Sequence, residues 1–234
     1  MKAVVFDFFG TLTDPSAESG RRASFAATAE ALGVPAEAFC TAMASTFRER
    51  ATGVFGDTRC TLRAVAQRCG VSPTSAALDE ATAVQLAGAA AVRTPRPGVL
   101  PVLATLRRHG LRLGLISDCS SELAESWPTT PFAPLIDAAV FSWREGCRKP
   151  DQRLYAAAAR RLGVAPQQCW YVGDGGSREH SGAATAGMRP ILVTNASYPT
   201  AAAYRDDPDT HVPDLAVDEV SAVLAVVCHD LSCP

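Results

Sequence analysis

Three short apolar runs each end in a polar residue, and this pattern limits the possible folds more than any other feature of the chain. The runs end at Asp7, Ser117 and Asp174. Their β-branched and aromatic residues are typical of strands that are buried in a parallel sheet. Segments with helical periodicity separate the later runs, and alternating strands and helices predict an α/β fold with a doubly wound, Rossmann-like parallel sheet.

The same alternation predicts the remaining elements. Between the first strand and the rest, alanine-rich segments broken by glycine and proline predict four helices and no strand. We therefore expect a core domain of residues 1–14 and 95–234 and an inserted helical cap of residues 15–94. Strands are expected at 2–6, 111–116, 138–141, 169–172 and 191–193, and core helices at 99–109, from about 121, and at 151–162, 179–186 and 218–229.

Composition and hydropathy exclude several classes of partner. The formal net charge is -2, so neither nucleic acid nor an anionic membrane is an expected partner. The most apolar stretch, residues 81–92, is shorter than the ~20 residues that span a bilayer. Asp7 interrupts the first apolar run too early for a signal peptide. The sequence predicts a cytoplasmic protein that acts on a small molecule, and it leaves the oligomeric state undetermined.

Polar residues at the carboxyl ends of the strands are the candidates for chemistry, because ligands bind at this edge of such sheets. Asp7 is followed by Gly10 and Thr11, in a turn whose backbone amides can bind a phosphoryl group. The hydroxyl of Ser117 can donate a hydrogen bond to a phosphate oxygen. Taken alone, each of these residues also fits an ordinary role as a turn or helix cap.

A lysine and two acids complete the set. Only Lys2 and Lys149 are lysines among the 22 basic residues, and the compact charge of a lysine suits a phosphate and the nucleophile that attacks it. Asp174 and Glu179 flank a glycine-rich turn. Because Mg²⁺ takes one or two protein carboxylates together with water and phosphate oxygens, this pair predicts a magnesium site.

These segments together resemble the four motifs of the haloacid dehalogenase-like hydrolase superfamily, in order and spacing across nearly the whole chain. The insertion resembles the helical type-1 cap of that superfamily. The resemblance implies a hydrolase in which Asp7 attacks a phosphorylated small molecule and forms an aspartyl-phosphate. It also implies that Mg²⁺ is held by Asp7, the carbonyl of Phe9, Asp174 and Glu179, and that the phosphate is held by Ser117, Lys149 and the backbone at Phe8, Gly10 and Thr11.

Phe9 departs from the family pattern, because the phosphatases carry there a second Asp that acts as general acid and base. Such a group typically contributes about 10²–10⁴ in rate. Our prediction is a phosphatase without this acid. Two alternatives stay open: a 2-haloacid dehalogenase, whose first motif has an aromatic residue here and whose halide leaves without a proton, and a non-catalytic relative. The dehalogenases need no Mg²⁺, so the paired acids favour the phosphatase. Phosphonatases use a cap lysine, which residues 15–94 lack.

The cap is expected to set the choice of substrate. A single cap arginine is expected to lie on a solvated helix face, but as a group they suit an anionic substrate. Asp14, Cys119 and His180 are near the motifs in sequence, and a structural role is expected for each. Six of the cap arginines are candidate contacts for the substrate: Arg21, Arg22, Arg48, Arg50, Arg59 and Arg63.

Overall fold

A parallel six-stranded sheet lies at the centre of the computed structural model, which describes residues 1–205 and 207–232. The strand order is β3-β2-β1-β4-β5-β6, which confirms the predicted α/β fold. The last strand was not predicted, because it has three residues at the sheet edge and only Val217 is buried. The strands are β1 (Ala3–Phe6), β2 (Arg112–Ser117), β3 (Ala138–Phe141), β4 (Cys169–Gly173), β5 (Arg189–Val193) and β6 (Leu215–Val217).

Helices cover both faces of the sheet. Alternate residues of β1 point to opposite faces, as in any strand. Val4 and Phe6 belong to a hydrophobic cluster with the helices at 99–108 and 223–232. Val5 belongs to a second cluster with the helices at 152–162 and 179–185. The last helix begins at Val223, after a 3-10 turn, and not at residue 218 as predicted. The core α-helices are α6 (Val99–Arg108), α7 (Ser121–Ser126), α8 (Ser142–Glu145), α9 (Gln152–Leu162), α10 (Glu179–Thr185) and α11 (Val223–Ser232).

The inserted segment is helical, as expected, and has a hydrophobic cluster of its own that includes Phe39, Met43 and Leu62. It contains one helix more than the four predicted, because the backbone turns at Thr46 (φ -101°, ψ 11°). The hydroxyl of Thr46 donates to the carbonyl of Ala42 at 2.6 Å, a local bond that competes with helix continuation. The division into two domains stays a prediction. The helices are α1 (Arg21–Leu32), α2 (Ala36–Ser45), α3 (Phe47–Ala51), α4 (Thr58–Arg68) and α5 (Ser75–Ala91).

The two connections between the sheet and the inserted helices lie side by side. Thr13 and Pro95 form an antiparallel bridge. On either side of it, the Asp14 amide donates to the Thr94 carbonyl at 2.9 Å and the Arg96 amide donates to the Leu12 carbonyl at 3.0 Å. The insertion therefore begins and ends at one point, a few residues after Asp7. Within the described parts of the chain, no helix combines the length and apolarity needed to cross a membrane.

Candidate active site

The sheet topology brings the three strand-end residues together. β1 lies between β2 and β4, with Phe6 opposite both Leu115 and Val172. Asp7 continues β1, and its amide donates to the Val172 carbonyl at 2.8 Å. Ser117 ends one neighbouring strand and Asp174 follows the other. Because these three adjacent strands are parallel, Asp7, Ser117 and Asp174 lie together at the carboxyl ends of the strands, in the middle of that edge of the sheet.

Lys149 lies at the centre of the charged groups. Its Nζ donates to Asp7 Oδ1 at 2.5 Å and to Glu179 Oε2 at 2.7 Å, and its side chain is only 3% exposed. The other bonds of Glu179 come from Tyr171 Oη, at 2.9 Å from Oε2, and from the Gly175 amide, at 2.8 Å from Oε1. Both oxygens of Glu179 are therefore held by the protein.

The charges of this cluster do not balance. Burial raises the pKa of Asp7 above its ordinary value, against the attraction of Lys149. Burial also raises the pKa of Glu179, and the charge of Asp7 adds to this effect. Burial opposes the positive charge of Lys149, but Asp7 and Glu179 outweigh it and raise the pKa of Lys149 well above its ordinary value. Three carboxylates, Asp7, Asp174 and Glu179, thus face two cations, Lys149 and Arg205, and a further cation would relieve the repulsion among the carboxylates.

The donor set suits Mg²⁺. Asp7, Asp174 and Glu179 offer carboxylate oxygens that all lie within 4.8 Å of one another. Among the described residues, no group donates to the Phe9 carbonyl. Gly10 is required beside this cluster, since its φ is +73° and a Cβ there would lie 2.9 Å from Asp174 Oδ2. Oxygen ligands with space for water are the environment that Mg²⁺ prefers.

A cavity of about 400 Å³ opens above Asp7. Among the residues predicted to bind phosphate, Ser117 and Thr11 have buried hydroxyls without a hydrogen-bond partner in the described part of the chain. The Gly10 amide donates to Thr13 Oγ1 at 3.1 Å and the Thr11 amide to the Phe8 carbonyl at 3.3 Å. The predicted site residues that line the cavity are Asp7, Phe9, Gly10, Lys149 and Asp174; Phe8, Thr11, Ser117 and Glu179 are not among its lining residues.

Phe9 forms an apolar part of the cavity wall. Its ring meets the ring of Phe8 edge-on at 5.1 Å, and the guanidinium of Arg21 lies 5.4 Å above it. Asp14 does not replace the missing acid. It caps the 3-10 helix Pro15–Gly20 by accepting from the Ser16 amide at 2.9 Å, and it is not a lining residue of the cavity.

Two site residues carry no clear sequence signal for their role. Arg205 lines the cavity, and its Nε donates to Asp174 Oδ2 at 3.0 Å. It lies 31 residues from its partner, in a loop without a motif. Asp118 accepts from the amide of Lys149 at 3.0 Å and from Arg148 Nε at 3.1 Å, and so fixes the lysine loop. Its position next to Ser117 was the only hint of this contact.

Cys119 and His180 are both buried. Burial raises the pKa of the Cys119 thiol well above its ordinary value, which keeps this cavity residue protonated. His180 is 1% exposed, and neither ring nitrogen has a hydrogen-bond partner among the described residues. Burial lowers the pKa of His180 to about 4 from its ordinary 6.5. Both residues therefore pack as neutral groups near pH 7.

We expect His180 to make the metal-free protein sensitive to acid. The unfolded chain takes up this proton near pH 6.5 and the folded chain only near pH 4, so stability is lost as the pH falls through that window. At 1.36 kcal/mol per pH unit, the 2.5 units (6.5 − 4) correspond to about 3 kcal/mol. Urea unfolding in a chelator at pH 7, 5.5 and 4 should show a larger loss of stability in the wild type than in His180→Phe, in which only the carboxylates with lowered pKa values contribute. Equal losses in both proteins would contradict the prediction.

Comparisons with known proteins relate the chain to a family of hydrolases. The family model of haloacid dehalogenase-like hydrolases matches residues 1–187. The chain is similar to a glyceraldehyde 3-phosphate phosphatase of Methanopyrus kandleri, with 32% identity over 136 residues, 57% of this chain and 56% of that protein. It is also similar to a phosphoserine phosphatase of Thermus thermophilus, with 33% identity over 52% of this chain and 46% of that protein. The chain thus spans about half the length of the curated relatives that it matches.

The fold is shared over almost the whole chain with solved structures. A 2-haloacid dehalogenase from Pseudomonas syringae superposes with a TM-score of 0.71 and 26% identity, covering 98% of this chain and 99% of that one. The proteins that this chain resembles in sequence or in structure thus include ones named as phosphatases and one named as a dehalogenase, the two reactions predicted from the sequence. The family match covers most of the chain, including the strand-end residues and Lys149, and the chain belongs to the haloacid dehalogenase-like hydrolase family.

Proposed function

We propose that this protein is a Mg²⁺-dependent phosphohydrolase that acts on a small phosphorylated metabolite through an aspartyl-phosphate on Asp7. The observation that carries the proposal is the grouping of the Asp7, Asp174 and Glu179 carboxylates within 4.8 Å of one another, two of them bonded to the Nζ of Lys149. A bound cation would stabilise this group of three carboxylates, one of which is the nucleophile. The phosphatase names of the curated relatives support the same reaction class.

In this proposal the metal is held by Asp7, Asp174 and the carbonyl of Phe9. Glu179 lies within the same group, but both of its oxygens already accept hydrogen bonds. Its role as a ligand, directly or through water, stays a prediction. When bound, Mg²⁺ neutralises negative charge on the phosphoryl oxygens.

The chain's own residues carry the two steps. Asp7 attacks phosphorus through a carboxylate oxygen, and the bond from phosphorus to the ester oxygen breaks. Lys149 keeps the carboxylate ionised and binds a phosphoryl oxygen, together with the hydroxyl of Ser117. Water then attacks the phosphorus of the aspartyl-phosphate, which releases inorganic phosphate and restores Asp7. Since Phe9 can neither give nor take a proton, the leaving alkoxide takes its proton from water.

The first test is the turnover of p-nitrophenyl phosphate with and without Mg²⁺. This leaving group departs without protonation, so the absence of an acid at Phe9 costs least with this substrate. We expect phosphate release with Mg²⁺ and at least a tenfold loss when a chelator removes the ion. Turnover that is unaffected by the chelator would contradict the metal assignment, and absence of turnover would contradict the phosphatase.

Dehalogenation of a 2-haloacid is the second candidate, and Phe9 is the observation that favours it. In that reaction Asp7 attacks the carbon that bears the halogen, halide leaves without a proton, and water hydrolyses the resulting ester. The structural similarity to a 2-haloacid dehalogenase is consistent with this chemistry. Halide release from 2-chloropropionate in a chelator, without activity on p-nitrophenyl phosphate, would replace the phosphatase proposal. Absence of both activities would favour a non-catalytic relative.

A further inference from the structure

The structure separates the six cap arginines that are candidate substrate contacts into two groups. Arg22 and Arg59 form exposed ion pairs with Glu37 and Asp79, and Arg48 is exposed. Arg63 is not a lining residue of the cavity above Asp7. By contrast, the lining residues of that cavity include both Arg21 and Arg50.

Arg50 is buried without a directly bonded carboxylate. It is 6% exposed, and its Nη1 and Nη2 donate to Ser120 Oγ at 3.1 Å and to the Met43 carbonyl at 2.8 Å. Its Nε has no partner among the described residues. Burial lowers the pKa of Arg50, the nearby Arg21 adds to this effect, and Glu122 opposes it. A buried guanidinium with an open donor is stabilised by an anion.

The charges around Arg50 leave a positive excess. A second cavity, of about 30 Å³, is lined by Arg21, Arg50 and Arg93 together with Glu122. Arg21 also binds Glu18 through two bonds of 2.7 and 2.8 Å. Three guanidinium groups therefore face two carboxylates, and Nη2 of Arg93 likewise has no hydrogen-bond partner in the described part of the chain. One monoanionic group would balance the cluster.

The small cavity adjoins the larger cavity that contains Asp7. Both cavities share Phe9, Arg21, Arg50 and Ser120 as lining residues, and the larger one contains Asp7. A ligand that places its phosphoryl group at Asp7 can therefore extend along the ring of Phe9 toward the arginines. The volume of about 30 Å³ suits a small planar anion at that end.

We propose that Arg50 and Arg21 form a subsite for a carboxylate at the end of the substrate that is remote from the phosphoryl group. The inference rests on the proposed phosphatase function and gives its substrate class, which is small phosphorylated carboxylic acids. In the cap, Arg50 supplies the charge-assisted hydrogen bond, and Arg21 supplies a second positive charge above Phe9.

Two phosphonates that resist hydrolysis test the subsite by binding alone. Phosphonoacetate carries a carboxylate, whereas 2-hydroxyethylphosphonate carries a neutral hydroxymethyl group in its place. Titration calorimetry with Mg²⁺ should give a preference of about 10-fold to 100-fold for phosphonoacetate in the wild type. Arg50→Gln should abolish this preference and leave the affinity for 2-hydroxyethylphosphonate nearly unchanged. Arg59→Gln, an exposed cap arginine outside the cavity, should keep the wild-type preference.

The outcomes for the subsite and for the phosphatase are separable. Equal affinities in the wild type, no binding of phosphonoacetate, or an unchanged preference in Arg50→Gln would overturn the subsite. The wild-type comparison can overturn the subsite even if Arg50→Gln does not fold. Turnover of p-nitrophenyl phosphate tests the phosphatase on its own. Activity without a carboxylate preference refutes the subsite alone, and Arg50-dependent binding without activity refutes the phosphatase and keeps the subsite.

Discussion

Replacement of Asp7 by asparagine should lower kcat by at least about 10³-fold, because the variant lacks the oxygen nucleophile on which both candidate reactions depend. The folded protein should be no less stable than the wild type. Asp7 lies buried beside two other carboxylates, and Lys149 keeps Glu179 as a partner at 2.7 Å. The amide removes one of three repelling charges, so the free energy of unfolding should stay equal or rise.

Steady-state kinetics with p-nitrophenyl phosphate and urea unfolding at pH 7 measure the two effects. Asp14→Asn is the matched control, since this acid caps a 3-10 helix and is not itself a lining residue of the cavity. It should keep nearly full activity. Residual turnover above one per cent in Asp7→Asn would show that another group attacks the substrate. A marked loss of stability would mean that Lys149 depends on Asp7 more than on Glu179.

Phe9→Asp should raise the turnover of alkyl phosphates by about 10²-fold, at the lower end of the contribution of a general acid. The new carboxyl would lie at the wall of the cavity that contains Asp7, where it could protonate the leaving oxygen. The gain should be much smaller with p-nitrophenyl phosphate, because that leaving group needs no proton. The ratio of the two kcat/KM values therefore reports the acid itself.

Phe9→Asn is the control for the change in size and polarity, and it should give no gain. The guanidinium of Arg21 lies 5.4 Å above the ring of Phe9, so it would pair with a new carboxylate and hold it ionised. The variant should accordingly be tested also in an Arg21→Gln background. No gain in either background would mean that another group already serves as the acid, or that a phosphate ester is not the substrate.

The sequence was most informative where a local rule determines position. Strand ends in a parallel sheet meet at one edge, and this rule predicts that Asp7, Ser117 and Asp174 lie at that edge. The structure adds that their three strands are neighbours. The scarcity of lysine singled out Lys149, whose Nζ lies within 2.7 Å of two carboxylate oxygens. The helix predicted at 151–162 ends at residue 162 in the structure, because Gly163 follows it with a φ of +63°.

Long-range contacts could not be predicted in this way. Arg205 reaches Asp174 from a loop without a motif, and Arg50 reaches Ser120 over 70 residues. Nothing local distinguishes Arg50 from Arg59 on the cap helices, although the first is buried at the cavity and the second pairs with Asp79. Which side of a helix faces the site depends on how the helices pack against the sheet. Periodicity in a segment rich in alanine leaves that packing undetermined.

The bridge between Thr13 and Pro95 has a consequence for how proteins of this architecture diversify. Since the inserted segment leaves and rejoins the sheet at a single point, its length and sequence can change without moving a strand or its hydrogen bonds. Exchange of the segment between relatives requires that its ends stay within one backbone hydrogen bond of each other and that contacts to the sheet domain, such as the bond from Arg50 to Ser120, are matched. Selection can thus change the inserted segment, including the proposed carboxylate subsite, while it keeps the strand-end residues of the sheet.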